Sequence, residues 1–510
     1  MPASRSAAFV LTLLTLGTPL AAQQGSPTPT ALAAAVDSLA RRVVAAQLTP
    51  ALGVAVVKIG KTILVGAYGH ADVTKHIPAD TRTLWYVAST SKSYTGFAAA
   101  LLASEGVMGL DQSMTALLPD ARWPAGVDAN ALTLARFLSH THFLTDNSVV
   151  MNAAFTGEIP EARWPLLLQD AKPTGKQDLV YSNLGYNVAA MVIDAKRPEG
   201  WRRYLDSAVY RPAGMHETYA RVSGLDPRRI AMPHELRADG RYATSPFYKT
   251  DATMNSAGGH LATLGDLARW VTVQMDGGVI DGRRVFSAAA VELSQRLIAP
   301  HTLERGRRFG PFDREGWAAG WDIGSYRGER MISRFGGYMT IRSHLSFLPV
   351  RRIGVVVQAT GGDGPAATDV LAQYAYDLEA GRPDARSAAY ARIDSLIAQR
   401  SATLRRIAEG DSVRRARQLA MDRPFADFAG AYHNPSLGTI TFTRDGSALA
   451  FRWGAVYGPA EIFDAGKKQL RIEVAGTGTV VSFDFAEPGP ARSLRIGADA
   501  FTRVASGSNR

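Results

Sequence analysis

Cysteine is absent from all 510 residues. Its absence excludes disulfides, thiol chemistry and a lipid anchor attached through a cysteine side chain. No glycine-rich phosphate loop occurs, so nucleotide chemistry is not expected. Charge of one sign is nowhere concentrated: 57 Lys and Arg stand against 46 Asp and Glu, a net +11 spread over the whole length. So mild an excess fits a basic surface in anionic surroundings such as acidic cell wall or lipid head groups, and no segment reads as a nucleic-acid module. Repeats of solenoid type are missing. Charge is also scarce at the start, where Arg5 is the only charged side chain before Asp37. Arg5 precedes an apolar run, Ala7 to Leu16, and small residues follow at Ala21-Ala22. Residues 1–23 therefore read as a secretory signal with cleavage near Ala22 or Gln23, too short for a membrane span. A periplasmic or secreted protein with no stable membrane span after cleavage is the expectation.

What remains is globular in composition, 46 % hydrophobic and 20 % charged, and long enough for two or three domains. Residues 31–380 carry an amphipathic helix at Ala31–Gln47, a hairpin at Leu52–Lys58 and Thr62–Ala67, and helical patterns at Leu184–Ile193 and Leu264–Met275. Strand character returns at Trp317–Tyr326, Ile341–Leu348 and Ile353–Thr360, ahead of a helix at Ala366–Glu379. Strand pair, helices, strands and a final helix predict an α+β domain, an antiparallel sheet flanked by helices. Residues 385–420 read as a helical linker in which Tyr390, Ile393, Ile397, Leu404 and Ile407 share one face. From Phe425 the texture changes to short alternating segments between turns such as Asp445-Gly446. A small antiparallel β-barrel over residues 425–506 is predicted.

Three stretches carry chemistry. Ser89 stands three residues before Lys92 at a predicted helix start, so both side chains share a face. A serine hydroxyl is a poor nucleophile until a neighbour takes its proton, and a lysine serves only if burial or another cation lowers its pKa. The helix start adds N–H groups where an oxyanion can form. Tyr181 and Asn183 precede an apolar helix, where a phenol can move protons and an amide can hold a carbonyl. Ser333-Arg334-Phe335-Gly336-Gly337-Tyr338 sets paired glycines beside a strand, allowing close approach of a ligand to backbone N–H donors.

In this order Ser89-x-x-Lys92, Tyr181-x-Asn183 and Arg334-x-Gly336 resemble the three motifs of class C β-lactamases, penicillin-binding DD-peptidases, D-aminopeptidases and related esterases. Leu138-Ser139-His140-Thr141, Gly258-Gly259 and Ser343–Pro349 are similar as well. The resemblance spans about residues 31–380, and residues 425–506 are similar to the lipocalin-like domain found behind such hydrolases. It implies a β-lactamase/transpeptidase-like fold, acyl-enzyme chemistry and no cofactor or metal. It implies Ser89 as nucleophile, Lys92 as its partner, Tyr181 as general base or proton relay, and Asn183 as a ligand for the substrate. The N–H groups of Ser89 and Gly337 would form the oxyanion hole, with Gly336 beside them. The third motif of relatives usually begins with Lys or His, and Tyr338-Met339-Thr340 replaces their Thr/Leu-Pro-Gly. Arg334 is therefore expected to hold a substrate carboxylate or carbonyl and to take no part in proton transfer. The alternative sets Arg334 in a structural ion pair with Arg342 facing the cleft.

The expected substrate is a small molecule or peptide: a D-amino-acid peptide, including cell-wall peptides, a β-lactam or a small carboxylic ester. Carboxylesterase or D-peptidase activity is favoured over a dedicated β-lactamase. The rival is a catalytically silent sensor or binding protein for peptidoglycan fragments or β-lactams. His140 and His142 lack a third metal ligand at sensible spacing and read as a structural turn. Trp317 and Trp321 read as the two ends of one strand.

Overall fold

The computed structural model describes residues 26–175, 179–302, 312–417, 421–446, 448–486 and 489–505. The proposed signal at residues 1–23 lies outside them. No helix among the described residues is long and apolar enough to cross a membrane.

The strand Ala51–Lys58 shows how the first domain is assembled. Its alternate residues enter opposite cores: Ala51, Ala55 and Val57 on one face of the sheet, Leu52, Val54 and Val56 on the other. Gly53 stands where a Cβ would come within 2.8 Å of the Trp85 ring, so glycine lets Trp85 lie flat on the strand. Among the described residues one antiparallel sheet of nine strands runs in the order Ala299–Pro300, Asp313–Trp317, Asp322–Tyr326, Glu329–Tyr338, Ile341–Leu348, Ile353–Thr360, Ala51–Lys58, Lys61–Asp72, Ile77–Pro78. Helices Pro29–Ala45 and Gly364–Glu379 cover one face; Ser91–Ser104, Leu184–Lys196 and Leu264–Met275 build the core on the other. The fold of this part is α+β, an antiparallel sheet flanked by helices.

Two features of this sheet prepare the site. Glu329–Tyr338 pairs with Ile341–Leu348 as far as Tyr338, but with Asp322–Tyr326 only as far as Ser333. From Arg334 onward its other edge has no neighbouring strand among the described residues. The second feature corrects the expected single strand at Trp317–Tyr326. Trp317 and Trp321 bracket a turn between two strands, closed by Ala318 N–H donating to Trp321 O at 2.9 Å. Contact with the Ser91–Ser104 helix imposes that turn. A Cβ on Gly96 would meet Ala319 O at 2.2 Å, and one on Gly320 would meet Lys92 O at 2.2 Å.

The helix Ala385–Arg415 follows, 31 residues long, burying only Ala385, Ala389 and Ile393 against the first domain. Eight strands from Gly430–Asn434 to Asp499–Arg503 then close an antiparallel barrel. Its interior is filled by Phe428, Tyr432, Phe442, Phe451, Trp453, Phe483 and Phe501 with aliphatic neighbours. The barrel docks on residues 152–158: Asn152 Nδ2 donates to Ser436 O, Ala455 N–H to Thr156 O and Thr439 N–H to Glu158 Oε2. Ala475, in a barrel turn, is buried with Tyr86, Ala88, Tyr338 and Ile341.

Candidate active site

Ser89 lies in a 3₁₀ turn, Ala88–Thr90, that runs straight into the Ser91–Ser104 helix. Ala88 before it has φ 47°, a left-handed conformation costing a non-glycine residue about 1–2 kcal/mol. The surroundings impose it. Val87 N–H donates to His260 O at 3.0 Å, Ser91 Oγ donates to Ala88 O at 2.7 Å, and Thr90 Oγ1 bonds Ser343 Oγ at 2.9 Å. Gly336 completes the approach. A Cβ there would fall 2.3 Å from Val87 O and 3.1 Å from Ser89 N, so only glycine lets this strand lie against the turn.

Lys92 is one helical turn on and fully buried. Its Nζ donates to Ser89 Oγ at 3.2 Å, Asn183 Oδ1 at 2.7 Å and Ala257 O at 2.6 Å, which uses all three N–H bonds. Burial pushes its pKa down to about 8; the Tyr181 hydroxyl works against that and Arg334 adds to it. Tyr181 Oη donates to Ser89 Oγ at 2.7 Å and accepts from Arg334 Nη2 at 3.1 Å. Burial of the hydroxyl raises its pKa, but the charges of Lys92 and Arg334 outweigh burial and hold it down to about 8.

Arg334 is buried beside Ser89 and Tyr181. It is 2 % exposed, lies 4.6 Å from the Trp317 ring, and donates from Nε to Ser89 O at 2.9 Å. Its Nη1 pairs with Asp322 Oδ2 at 3.4 Å, and Asp322 also pairs with Arg314. A buried guanidinium needs a buried counter-charge, and Asp322 supplies it, while Nε and Nη2 bond the Ser89 carbonyl and the Tyr181 hydroxyl. Asp322 stands twelve residues earlier in another strand, and no spacing rule connects the two. Arg342, directly across from Gly337, has its Nη1 3.2 Å from where a Gly337 Cβ would lie and donates to Met339 O and Ile341 O. No ion pair joins it to a carboxylate among the described residues.

Ser89, Lys92, Tyr181, Asn183, Arg334 and Gly336 are thus brought together, and Gly337 follows on the open strand edge. His140 Nδ1 accepts from Ser182 N–H and His142 Nδ1 from Leu144 N–H. A Ser–His–Asp arrangement lies outside this cleft. Asp369 Oδ1 lies 2.9 Å from His344 Nδ1, and His344 Nε2 lies 2.7 Å from Ser346 Oγ. Ser346 is wholly buried and bonded to Tyr376 Oη, so this network ties the sheet to the Gly364–Glu379 helix and leaves its hydroxyl out of reach of any substrate.

The nine-stranded sheet with helices on both faces is the β-lactamase/transpeptidase-like fold. Residues 36–380 match the Beta-lactamase family, and the chain belongs to it. Penicillin-binding protein 4 of Amycolatopsis lactamdurans is 25 % identical over 294 residues, 56 % of this chain and 74 % of that protein. Protein flp of Staphylococcus aureus is 20 % identical over 315 residues, 61 % of this chain; the match spans 59 % of the relative's length. Among solved structures, the octameric penicillin-binding protein homologue from Pyrococcus abyssi is similar over 92 % of this chain and 100 % of its own, with TM-score 0.57 and 18 % identity. D-amino acid amidase from Ochrobactrum anthropi SV3 is similar over 72 % of this chain and 99 % of its own, with TM-score 0.53 and 20 % identity. These structural likenesses speak for the fold alone.

Proposed function

We propose that this chain is an exported serine hydrolase that forms an acyl-enzyme on Ser89 and cleaves an amide or ester, as a D-peptidase or carboxylesterase in preference to a dedicated β-lactamase. The observation that carries this reading is the hydrogen-bonded series Arg334–Tyr181–Ser89–Lys92. Lys92 and Arg334 favour the Tyr181 phenolate, which takes the Ser89 proton across 2.7 Å as Ser89 Oγ attacks the carbonyl carbon. The N–H groups of Ser89 and Gly337 receive the oxyanion, and Tyr181 returns the proton to the leaving amine or alkoxide. A water attacks the acyl ester by the same route and frees Ser89. Lys92 remains the fixed positive charge. It also holds the Asn183 carbonyl oxygen, so the Asn183 amide nitrogen is the end turned to the substrate. Export rests on the sequence of residues 1–23.

With Arg334 committed to Asp322 and Tyr181, Arg342 is the guanidinium left to read an anionic group on the substrate. That reading favours acyl donors bearing a carboxylate, as cell-wall peptides and β-lactams do. A panel of D-amino-acid anilides, p-nitrophenyl esters and nitrocefin, run on the wild type and Ser89→Ala, tests the proposal. Turnover of at least one class that disappears in Ser89→Ala is the expected result. Turnover that survives the substitution, or an enzyme inert on every class, contradicts it.

A further inference from the structure

Tyr181 lies in a stretch without helix or strand, between residues 179 and 183, yet its hydroxyl must stay within hydrogen-bond reach of Ser89. His140, in the turn after helix Leu134–Leu138, touches this stretch on both sides of Tyr181. Val180 N–H donates to His140 O at 3.1 Å, and Ser182 N–H donates to His140 Nδ1 at 3.2 Å. The His140 ring lies 4.7 Å from the Tyr181 ring, 4.5 Å from Trp317 and 5.5 Å from Tyr186, centroid to centroid. His140 is fully buried, and its φ of 62° is a conformation that a non-glycine residue keeps only where its surroundings impose it.

We infer that His140 is the positioning residue for the base: by accepting a hydrogen bond from each neighbour of Tyr181 and supporting its ring, it fixes the phenol oxygen between Ser89, Lys92 and Arg334. The inference rests on the reading of Tyr181 as base. Because Nδ1 accepts, the proton sits on Nε2, which is buried without a hydrogen-bond partner. Burial, with Lys92, Arg334 and His142 nearby, pushes the His140 pKa well below the usual histidine value, so the ring stays a neutral acceptor. The groups that face Tyr181 are Lys92 from the Ser91–Ser104 helix, Arg334 with Asp322 behind it from the sheet, Tyr186 from the following helix, and His140 itself. A phenol that drifts from the two cations regains its ordinary, higher pKa, and the acid limb of activity then moves to higher pH.

The test uses the full-length enzyme and kcat per serine titrated with a fluorophosphonate. His140→Ala removes acceptor and ring; His140→Phe keeps the ring contacts and removes only the Nδ1 acceptor. Both are expected to lower kcat by about 10–100-fold, as a misplacement near 1 Å does, with KM little changed and the acid limb of kcat/KM shifted upward. His140→Asn, which tolerates the left-handed backbone and can offer an acceptor to Ser182 N–H, should recover much of the loss. In a Tyr181→Phe background, His140→Phe should cost nothing further, since the group it positions is gone. If either His140→Ala or His140→Phe folds with an unmoved acid limb, or loses the same factor with and without the Tyr181 hydroxyl, His140 is structural only and the inference falls. Should Tyr181→Phe alone keep a near-normal kcat, the reading of Tyr181 as base fails instead, which is a separate outcome.

Discussion

The cleft and the C-terminal barrel are built in opposite ways. In the barrel, alternate residues point into a core of aromatic and aliphatic side chains. Every buried polar or charged side chain among the described residues lies at or before Glu379, and none is in the barrel. The cleft buries Lys92 and Arg334 and lets two cations pull a phenol below its ordinary pKa. Desolvated charge costs stability, and it persists where the surrounding structure over-determines it for chemistry. Substitutions should therefore register as rate in the cleft and as stability in the barrel.

The largest departures are expected at the centre of the cleft. Tyr181→Phe and Lys92→Ala should each lower kcat by about 10²–10⁴-fold, the range of a lost general acid–base contribution, while folding remains intact by circular dichroism. A near-normal kcat in either would remove the contrast at its source. Next comes the pH profile. With Tyr181 and Lys92 both held near pH 8, kcat/KM should rise as the pair loses its first proton and fall as Lys92 loses its own, a bell centred near that pH. Arg334→Gln removes a cation that favours the phenolate, so the rising limb should move to higher pH; a limb that stays in place would show that Arg334 does not tune Tyr181.

Smaller and selective is Arg342→Ala, expected to lower kcat/KM by about 10–100-fold on carboxylate-bearing substrates, the rate equivalent of one charged hydrogen bond. Neutral esters of similar size should be little affected, and equal losses on both would withdraw Arg342 from the substrate. The least effect on rate is expected in the barrel. Trp453→Ala empties a fully buried site and should cost about 3–5 kcal/mol of stability, read as a lower Tm. The kcat per titrated serine should hardly change. A matching fall in kcat would make the barrel part of the catalytic machinery and break the comparison.

Local pattern carried much of this architecture. The helix Leu264–Met275 and the strands Ile341–Leu348 and Ile353–Thr360 are found where periodicity placed them, because each is long, regular and packed on its neighbours. The barrel strand Val456–Asp464 is hard to read from pattern, because Gly458-Pro459 interrupts its middle, a pair that argues against a strand. Trp317–Tyr326 divided into two strands because a turn there is shaped by a helix more than two hundred residues earlier. The same physics hid part of the site. Ser89, Lys92, Tyr181 and Asn183 could be read from motif order, but what Arg334 touches depends on Asp322 in the adjacent strand. His140 resembled an ordinary turn residue because its contacts with Val180, Ser182 and Tyr181 exist only in three dimensions.

The most direct test of the account is the site of covalent attachment. The enzyme is mixed with a slowly deacylated substrate from the active class and quenched in acid, and intact-mass analysis is followed by peptide mapping. One acyl group per chain, on the peptide containing Ser89 and absent from Ser89→Ala, is the predicted result. An adduct on another residue, or turnover with no acyl-enzyme under conditions that trap one in a related hydrolase, would contradict it.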